Sequence, residues 1–376
     1  MFNVIDYLDD RIKESIIRNC SDLHIEPFYD IYRIRFRIDG ELVETNQVEY
    51  ADALKLLIRI KVLSNLDISK KTVPQDGRFA FNFNNENIDI RVSIFPTIRG
   101  EKAVLRFLIN SNNFNLENIG MPDLFKNLLK NVSLKKDGLI LVTGPTGSGK
   151  TTTLYSLLKY LVNFNKNIVS LEDPVEYKID MISQTQVNNN LGLTFTKGLR
   201  SLLRQDPDII FIGEVRDKET AQTVVESSLT GHLILSTIHT KNAESTIKRL
   251  IQLGIDNVFL SGTLRAIISQ RLIPKLCSCA IKIKTTEFEK KIIQKFLEVD
   301  FNSEYLFSPN SCEICTNGYN GIQPIFEILI VDSEIEEDIA SNNSNLNSKN
   351  YYKFSNNIID LLSNGKVFYK DILNNF

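Results

Sequence analysis

Histidine is scarce in this chain: there are three among 376 residues, and two of them, His232 and His239, stand at the ends of one strand-like run in SLTGHLILSTIHT. Long apolar runs are lacking as well. None approaches the roughly 18 residues that a membrane-spanning helix needs. The N-terminal MFNVIDYLDDRIKE shows no basic segment followed by an apolar stretch, which predicts a cytoplasmic chain with no secretory signal. There is no basic excess either. The formal net charge is −2, which argues against a protein whose main task is to grip nucleic acid. Cysteine is sparse but patterned: Cys20 is alone, while Cys277 and Cys279, then Cys312 and Cys315, form two close pairs separated by 32 residues. In a cytosolic chain that pattern suggests metal before disulfide. What is present is a globular composition, 43% apolar and 24% charged, long enough for two or three domains with cores of their own.

Up to about residue 110 the pattern is mixed. Ile5, Leu8, Ile12, Ile16 and Ile17 recur at helical spacing. In YRIRFRIDGEL, Tyr32, Ile34, Phe36 and Ile38 alternate with Arg33, Arg35, Arg37 and Asp39, so period two puts three arginines on one face, and Asp39-Gly40 signals a hairpin. The helical ADALKLLIRIKVLSNL precedes three strand-like runs, GRFAFNF, IDIRVSIF and EKAVLRFL, with NNEN and PTIRG as turns. This predicts an α+β domain on an antiparallel sheet, closed by the Asn-rich linker INSNNFNLENIG.

From about residue 120, strands and helices alternate as in a parallel α/β sheet. GLILVTG, NIVSLED, DIIFIGE and HLILSTIH are short, continuously apolar and end in polar residues, as doubly covered strands do. Residues 241–272 and 321–376 read as mainly helical, and SNNSNLNSKN as a mobile low-complexity loop.

GPTGSGKTT, comprising Gly144, Pro145, Thr146, Gly147, Ser148, Gly149, Lys150, Thr151 and Thr152, fits G-x-x-x-x-G-K-[ST] between a strand and a helix. Backbone N–H groups and the helix N-terminus then surround phosphates, Lys150 supplies charge to the β/γ oxygens, and Thr151 supplies a Mg²⁺ ligand. The second strand ends in Glu172 and Asp173, with Glu176 beyond, and the third in Gly213 and Glu214. Ligands of open parallel sheets bind where strand C-termini gather, so these carboxylates should converge on the loop.

The phosphate loop, EDPVEY, LRQDPDIIFIGEVRD and LTGHLILSTIHT, in this order, resemble the Walker A, Asp, Walker B and His boxes of the secretion ATPase superfamily. That superfamily powers type II secretion, type IV pilus assembly and competence pseudopili. SDLHIEPF, RFRIDG, VPQDGRF, DIRVSIFPTIRGEKAVLRFL and SQRLIPKLC are similar to further family segments, so the likeness spans about residues 15–330.

The resemblance implies an α/β chain: an N-terminal α+β, PAS-like domain (1–110), a linker and hinge (111–118) and a RecA-like P-loop ATPase core with a parallel sheet (119–280). A tetracysteine zinc-type module (281–320) and a helical C-terminal region (321–376) would follow. It implies ATP hydrolysis, with Lys150 and Thr151 on the phosphates and Mg²⁺, Glu214 on the metal side and Glu172 positioning or deprotonating water. Arg91 and Arg106 from the first domain, with Arg200 and Arg204 on a shared helix face, are the candidate transition-state arginines. Either His232 or His239 is the candidate γ-phosphate contact or relay. It further implies a homo-hexamer beneath an inner-membrane platform protein, acting on pilin-like subunits indirectly, peripherally bound to that membrane through partners and without direct nucleic acid.

LCSCA and NSCEICTNGYNG resemble the family's tetracysteine module, in which four thiolates hold a structural Zn²⁺. The first pair is C-x-C where the family carries C-x-x-C. Two readings stay open: zinc, or four structural, partly free thiols. Pilus assembly and type II secretion ATPases carry a further N-terminal docking domain, so this sequence looks most like the short competence type. The cysteine module and the VPQDGRF segment favour assembly over retraction. The other expectations are a retraction or conjugation-type ATPase, a non-hydrolysing nucleotide-dependent scaffold, and a nucleic-acid-binding ring. Intact Lys150, Thr151, Glu172 and Glu214 speak against the scaffold, and the charge balance against DNA.

Overall fold

The structure is a computed structural model that describes residues 3–38, 41–84, 86–108, 115–313, 315, 317–343, 346 and 348–376. The chain divides into two compact units, 1–112 and 113–376. Asp39-Gly40, Asn85 of NNEN, residues 109–114 of the linker, and Ser344, Asn345 and Asn347 of the low-complexity stretch lie outside the described residues.

The first unit runs α1 (Val4–Ile17), β1 (Asp22–Phe28), β2 (Ile31–Ile38), β3 (Glu41–Glu49), α2 (Tyr50–Leu63), β4 (Gln75–Phe83), β5 (Glu86–Thr97) and β6 (Gly100–Leu108). Its antiparallel sheet has the order β3-β2-β1-β6-β5-β4. Alternation decides which face is apolar: Tyr32, Ile34 and Phe36 are buried with Leu8 and Ile12 of α1 and Leu56 and Ile60 of α2, while Arg33, Arg35 and Arg37 face the other way. Each such side chain, once fully buried, contributes about 1.5–3 kcal/mol.

That opposite face carries charge. Glu26 is buried on the central strand, and its oxygens take Arg35 Nε at 2.8 Å and Lys102 Nζ at 2.6 Å. Asp22 accepts from Arg106 Nε at 2.8 Å.

The second unit contains α3 (Asp123–Ser133), β7 (Gly138–Thr143), α4 (Lys150–Leu161), β8 (Ile168–Glu172), β9 (Ser183–Gln186), α5 (Phe195–Leu202), β10 (Ile209–Ile212) and α6 (Lys218–Leu229). It continues with β11 (Leu233–Ile238), α7 (Ala243–Gln252), α8 (Asn257–Thr263), β12 (Leu264–Leu276), β13 (Ile281–Lys284), α9 (Glu287–Leu297) and β14 (Tyr305–Ser308). Last come β15 (Tyr319–Ile330), α10 (Ser333–Ala340), β16 (Tyr351–Tyr352), α11 (Phe354–Ser363) and α12 (Tyr369–Asn375).

Its sheet has the order β16-β15-β12-β7-β11-β10-β8-β9. The six strands from β12 to β9 run parallel, and β15 and β16 are antiparallel additions. Every residue of β7, β8, β10 and β11 is buried, because helices cover both faces. One apolar cluster joins these strands to α6 and α7, the other to α3 and α4.

The structure corrects two helical expectations. The end of the stretch read as helical over 241–272 lies in a strand, since residues 264–272 belong to β12, and the region read as helical from 321 begins inside β15. LRAIISQRLIPKL holds apolar residues at spacings that suit either period. Pairing on both edges, with β7 and with β15, supplies the backbone partners that make it a strand.

Candidate active site

The phosphate loop joins β7 to α4 at the C-terminal edge of the parallel strands. Its shape depends on two glycines. Gly149 caps α4 with φ +84°, and a Cβ there would lie 2.6 Å from the Gln270 side-chain amide. A Cβ on Gly144 would lie 2.5 Å from the Gln270 carbonyl. Only glycine permits both the left-handed turn and this approach to β12. Lys150 bends back over the loop and donates to the carbonyls of Gly144 and Pro145, each at 2.8 Å. Burial lowers its pKa to about 8; nearby Arg271 acts in the same direction and Glu214 opposes.

Around the loop is a cavity of about 450 Å³ lined by Thr146–Thr151, Glu172, Asp173, Glu176, Gly213, Glu214 and His239, with Phe195, Phe211 and Leu272 among its apolar walls. The strand-end carboxylates and the loop therefore share one space. Gly213 lets β10 and β8 close here, since a Cβ on it would sit 3.3 Å from the Cα of Glu172.

The two glutamates have different surroundings. Glu172 is 3% exposed, and its carboxylate accepts from the Tyr155 hydroxyl, from Ser170 Oγ at 2.6 Å and from Gln184 Nε2 at 3.0 Å. Burial outweighs these donors and raises its pKa. Glu214 instead pairs with Arg216 through one oxygen, and its other oxygen lies 3.7 Å from His239 Nε2. Burial lowers the His239 pKa, and the positive charges of Lys150 and Arg216 outweigh Glu214 in the same direction, which keeps the ring neutral near pH 7.

The two histidines are separated. His239 lines the cavity, whereas His232 precedes β11 at the opposite edge of the sheet, where Nδ1 meets the Ser227 carbonyl at 3.2 Å and Thr230 Oγ1 at 3.3 Å. Six strand residues at about 3.3 Å each put His232 out of reach of a phosphate at the loop.

Arg200 and Arg204 are not among the residues that line this cavity. Arg200 lies on α5, exposed, 3.8 Å from Glu219. Arg204 falls two residues past the end of α5 and donates to the Arg200 carbonyl at 2.9 Å, so the two do not continue one helix face as expected. In the first unit Arg91 and Arg106 are directly opposite each other on β5 and β6.

The four cysteines converge beyond the ends of β12 and β14. Sγ–Sγ distances are 3.8 Å for Cys277 and Cys312, 3.7 Å for Cys279 and Cys315, and 3.6 Å for Cys312 and Cys315. All four Sγ atoms lie within 4.8 Å of one another. Four thiolates about 2.3 Å from one Zn²⁺ would stand about 3.8 Å apart at tetrahedral angles, so the donor set fits the ion despite the shortened C-x-C. The Cys277 thiol is lowered to about 7, first by the Cys279 backbone N–H.

Sequence reasoning missed the groups that hold the site: Tyr155, Ser170 and Gln184 on Glu172, Arg216 on Glu214, and Gln270 beneath the loop. Arg216, two residues after Glu214, and Ser170, two residues before Glu172, were within sight; Tyr155, Gln184 and Gln270 come from other elements.

A family model described as "Type II/IV secretion system protein" matches residues 2–372. The chain is 43% identical over 341 residues to the putative type II secretion system protein E of Escherichia coli (strain K12), covering 90% of this chain and 69% of that protein. It is 39% identical over 339 residues to the type IV pilus assembly ATPase PilB of Thermus thermophilus, covering 89% of this chain and 38% of that one. Among solved structures it is similar to the pilus retraction motor PilT with bound ADP, with TM-score 0.67 and 25% identity over 97% of this chain and 96% of the other.

Proposed function

The chain belongs to the type II/IV secretion system protein family, and from that premise we propose that the cavity at the phosphate loop hydrolyses ATP to drive assembly of a pilus or pseudopilus. The chain is an ATPase of secretion and pilus machinery. The observation that carries the site assignment is the gathering of Lys150, Glu172, Glu214 and His239 around one cavity at the strand C-termini.

The roles follow from the environments. Lys150, now spent on two loop carbonyls, turns to the β/γ oxygens when nucleotide arrives. Glu172, with its raised pKa, positions the attacking water and takes its proton. Thr151 and Glu214 hold Mg²⁺, which when bound supplies charge to the phosphate oxygens. His239 stands as a neutral neighbour of Glu214 that senses the γ-phosphate. Arg91, Arg106, Arg200 and Arg204 are kept as candidate transition-state arginines.

The four thiolates hold a structural Zn²⁺, a reading supported by their near-tetrahedral spacing. The working form is a homo-hexamer that acts on an inner-membrane platform protein and, through it, on pilin-like subunits. No helix among the described residues is long and apolar enough to cross a membrane; the proposed attachment to the inner membrane is through partner proteins. The competence, secretion and motility settings share this chemistry.

The test is Mg²⁺-dependent ATP hydrolysis by the full chain beside Glu172→Gln and Lys150→Ala, with mass in solution followed with and without nucleotide. Turnover lost in both variants, ATP binding kept in Glu172→Gln and ATP-favoured hexamers are expected. ATP binding without turnover by the unsubstituted protein, even with membranes and partner supplied, overturns the reading.

A further inference from the structure

The segment after His239 is held by side chains from three strands. Thr143, the last residue before the phosphate loop, donates its hydroxyl to the Thr240 carbonyl at 2.9 Å and accepts the Thr240 N–H at 3.0 Å. Arg271 on β12 donates to the Lys241 carbonyl at 2.9 Å and the Gln270 carbonyl at 3.0 Å. Glu327 on β15 accepts the N–H of Ala243, the first residue of α7, at 2.6 Å.

Glu327 is the carboxylate of this set. It is 4% exposed, lies opposite Ser269 in register, and takes further hydrogen bonds from Ser269 Oγ at 3.4 Å and from the Tyr351 hydroxyl. Burying a carboxylate this deeply is costly, and an apolar residue of similar volume would often stabilise the fold at least as well. Its placement has a local consequence instead: it pins the helix start four residues beyond His239.

β12 makes that pin part of the site. Gln270 points to one face, where Thr153 of α4 donates to its Oε1 at 2.6 Å beneath the phosphate loop. Arg271, on the opposite face with Ser269, reaches the His239 segment. Two adjacent residues of one strand thus hold the phosphate-loop helix and the histidine loop from opposite sides of the sheet.

We propose that Glu327 is a positioning residue for ATP turnover: it fixes the start of α7, and with Arg271 it holds the His239 loop against Glu214. The proposal rests on the reading of the cavity as an ATP-hydrolysing site. The carboxylate does not touch nucleotide. It acts through the backbone N–H of Ala243.

Glu327→Leu and Glu327→Gln separate this role from simple packing, because glutamine keeps an oxygen acceptor for the Ala243 N–H and leucine does not. In the full chain, Glu327→Leu lowers kcat about tenfold, the scale of one lost buried hydrogen bond, with the KM for ATP within about twofold. Glu327→Gln recovers most of that loss. In a His239→Ala background the leucine substitution costs less than about twofold, since the loop then has no ring to position. Unchanged kcat in Glu327→Leu, equal losses in both backgrounds, or a glutamine variant as impaired as leucine overturns the proposal.

If the leucine variant does not fold, Arg271→Lys takes its place in the same cycle with His239→Ala, and additive losses overturn the proposal there. Hydrogen exchange at the Ala243 amide gives a reading free of activity. It is protected in the unsubstituted protein and in Glu327→Gln and exchanges faster in Glu327→Leu. Absence of turnover in the unsubstituted chain would count against the ATPase assignment, while equal Ala243 exchange in all three proteins would count against the role of Glu327.

Discussion

Tyr155, one turn into the helix that follows the phosphate loop, donates its hydroxyl to the carboxylate of Glu172 at the end of β8. The group assigned to the water and the helix that carries Lys150 and Thr151 are therefore tied together before any nucleotide is present.

Removing that donor has a signed consequence. Burial already holds Glu172 above the ordinary 4.5, and Tyr155 is among the donors that pull it back down. Tyr155→Phe should therefore move the acid limb of the kcat profile to higher pH. A carboxylate whose folded pKa is raised costs stability as pH climbs from 4.5 through the folded value, so the variant also loses about 1 kcal/mol that is most evident above that window. A pH–rate profile beside thermal melts at several pH values checks both effects. An unmoved acid limb would exclude Glu172 as the group that sets it.

Lys150 couples nucleotide binding to protons. Without ligand its folded pKa is about 8 against an ordinary 10.5, so above pH 8 much of the population is neutral. Phosphates favour the charged form, so binding takes up a proton and ATP affinity falls as pH rises past 8. For the fold alone the sign is opposite: the cost of burying the ammonium is complete below pH 8 and relieved between 8 and 10.5. Calorimetric titrations at pH 9 in buffers of different ionisation enthalpy should show uptake that Lys150→Ala lacks.

Gly149→Ala should abolish tight nucleotide binding while the chain stays folded. The left-handed φ costs about 1–2 kcal/mol in an alanine. The new Cβ would also meet the Gln270 amide at 2.6 Å, so either the loop or β12 must move. A nucleotide Kd raised at least about tenfold is expected. A Kd within twofold of the unsubstituted protein would show that the loop does not cradle phosphate in this shape.

The cysteine cluster predicts one zinc per chain by elemental analysis. Cys312→Ser, or a strong chelator, should remove the metal and lower the Tm by about 5 °C or more. ATP binding should persist, because none of the four cysteines lines the nucleotide cavity. Full metal content in Cys312→Ser, or none in the unsubstituted protein, would favour free structural thiols.

Much of this was legible in order. GLILVT, NIVSLE, DIIFI and LILSTI read as strands because parallel strands buried on both faces must be continuously apolar, and Tyr32, Ile34 and Phe36 declare their face by alternation. The phosphate loop was legible because its chemistry is local: a few glycines, a lysine and a hydroxyl within one turn. β12 and β15 were not, since their partners lie far along the chain and neither period stands out in their residues.

By itself, then, the sequence determined which segments of the nucleotide core are buried parallel strands, the loop that turns onto a helix, and the residue types available for phosphate chemistry, all of which follow from patterns within short segments; the order of the strands was not among them. Tertiary structure decided which histidine lines the cavity, since His232 and His239 flank one strand and only its C-terminal end reaches that space. It also decided the different surroundings of Glu172 and Glu214 and the closing of four thiols to one metal-sized group. Tyr155 and Gln184 on Glu172, His239 beside Glu214 and the two cysteine pairs are brought together from separate parts of the chain, and burial and hydrogen bonding act on distance in space rather than on position in sequence.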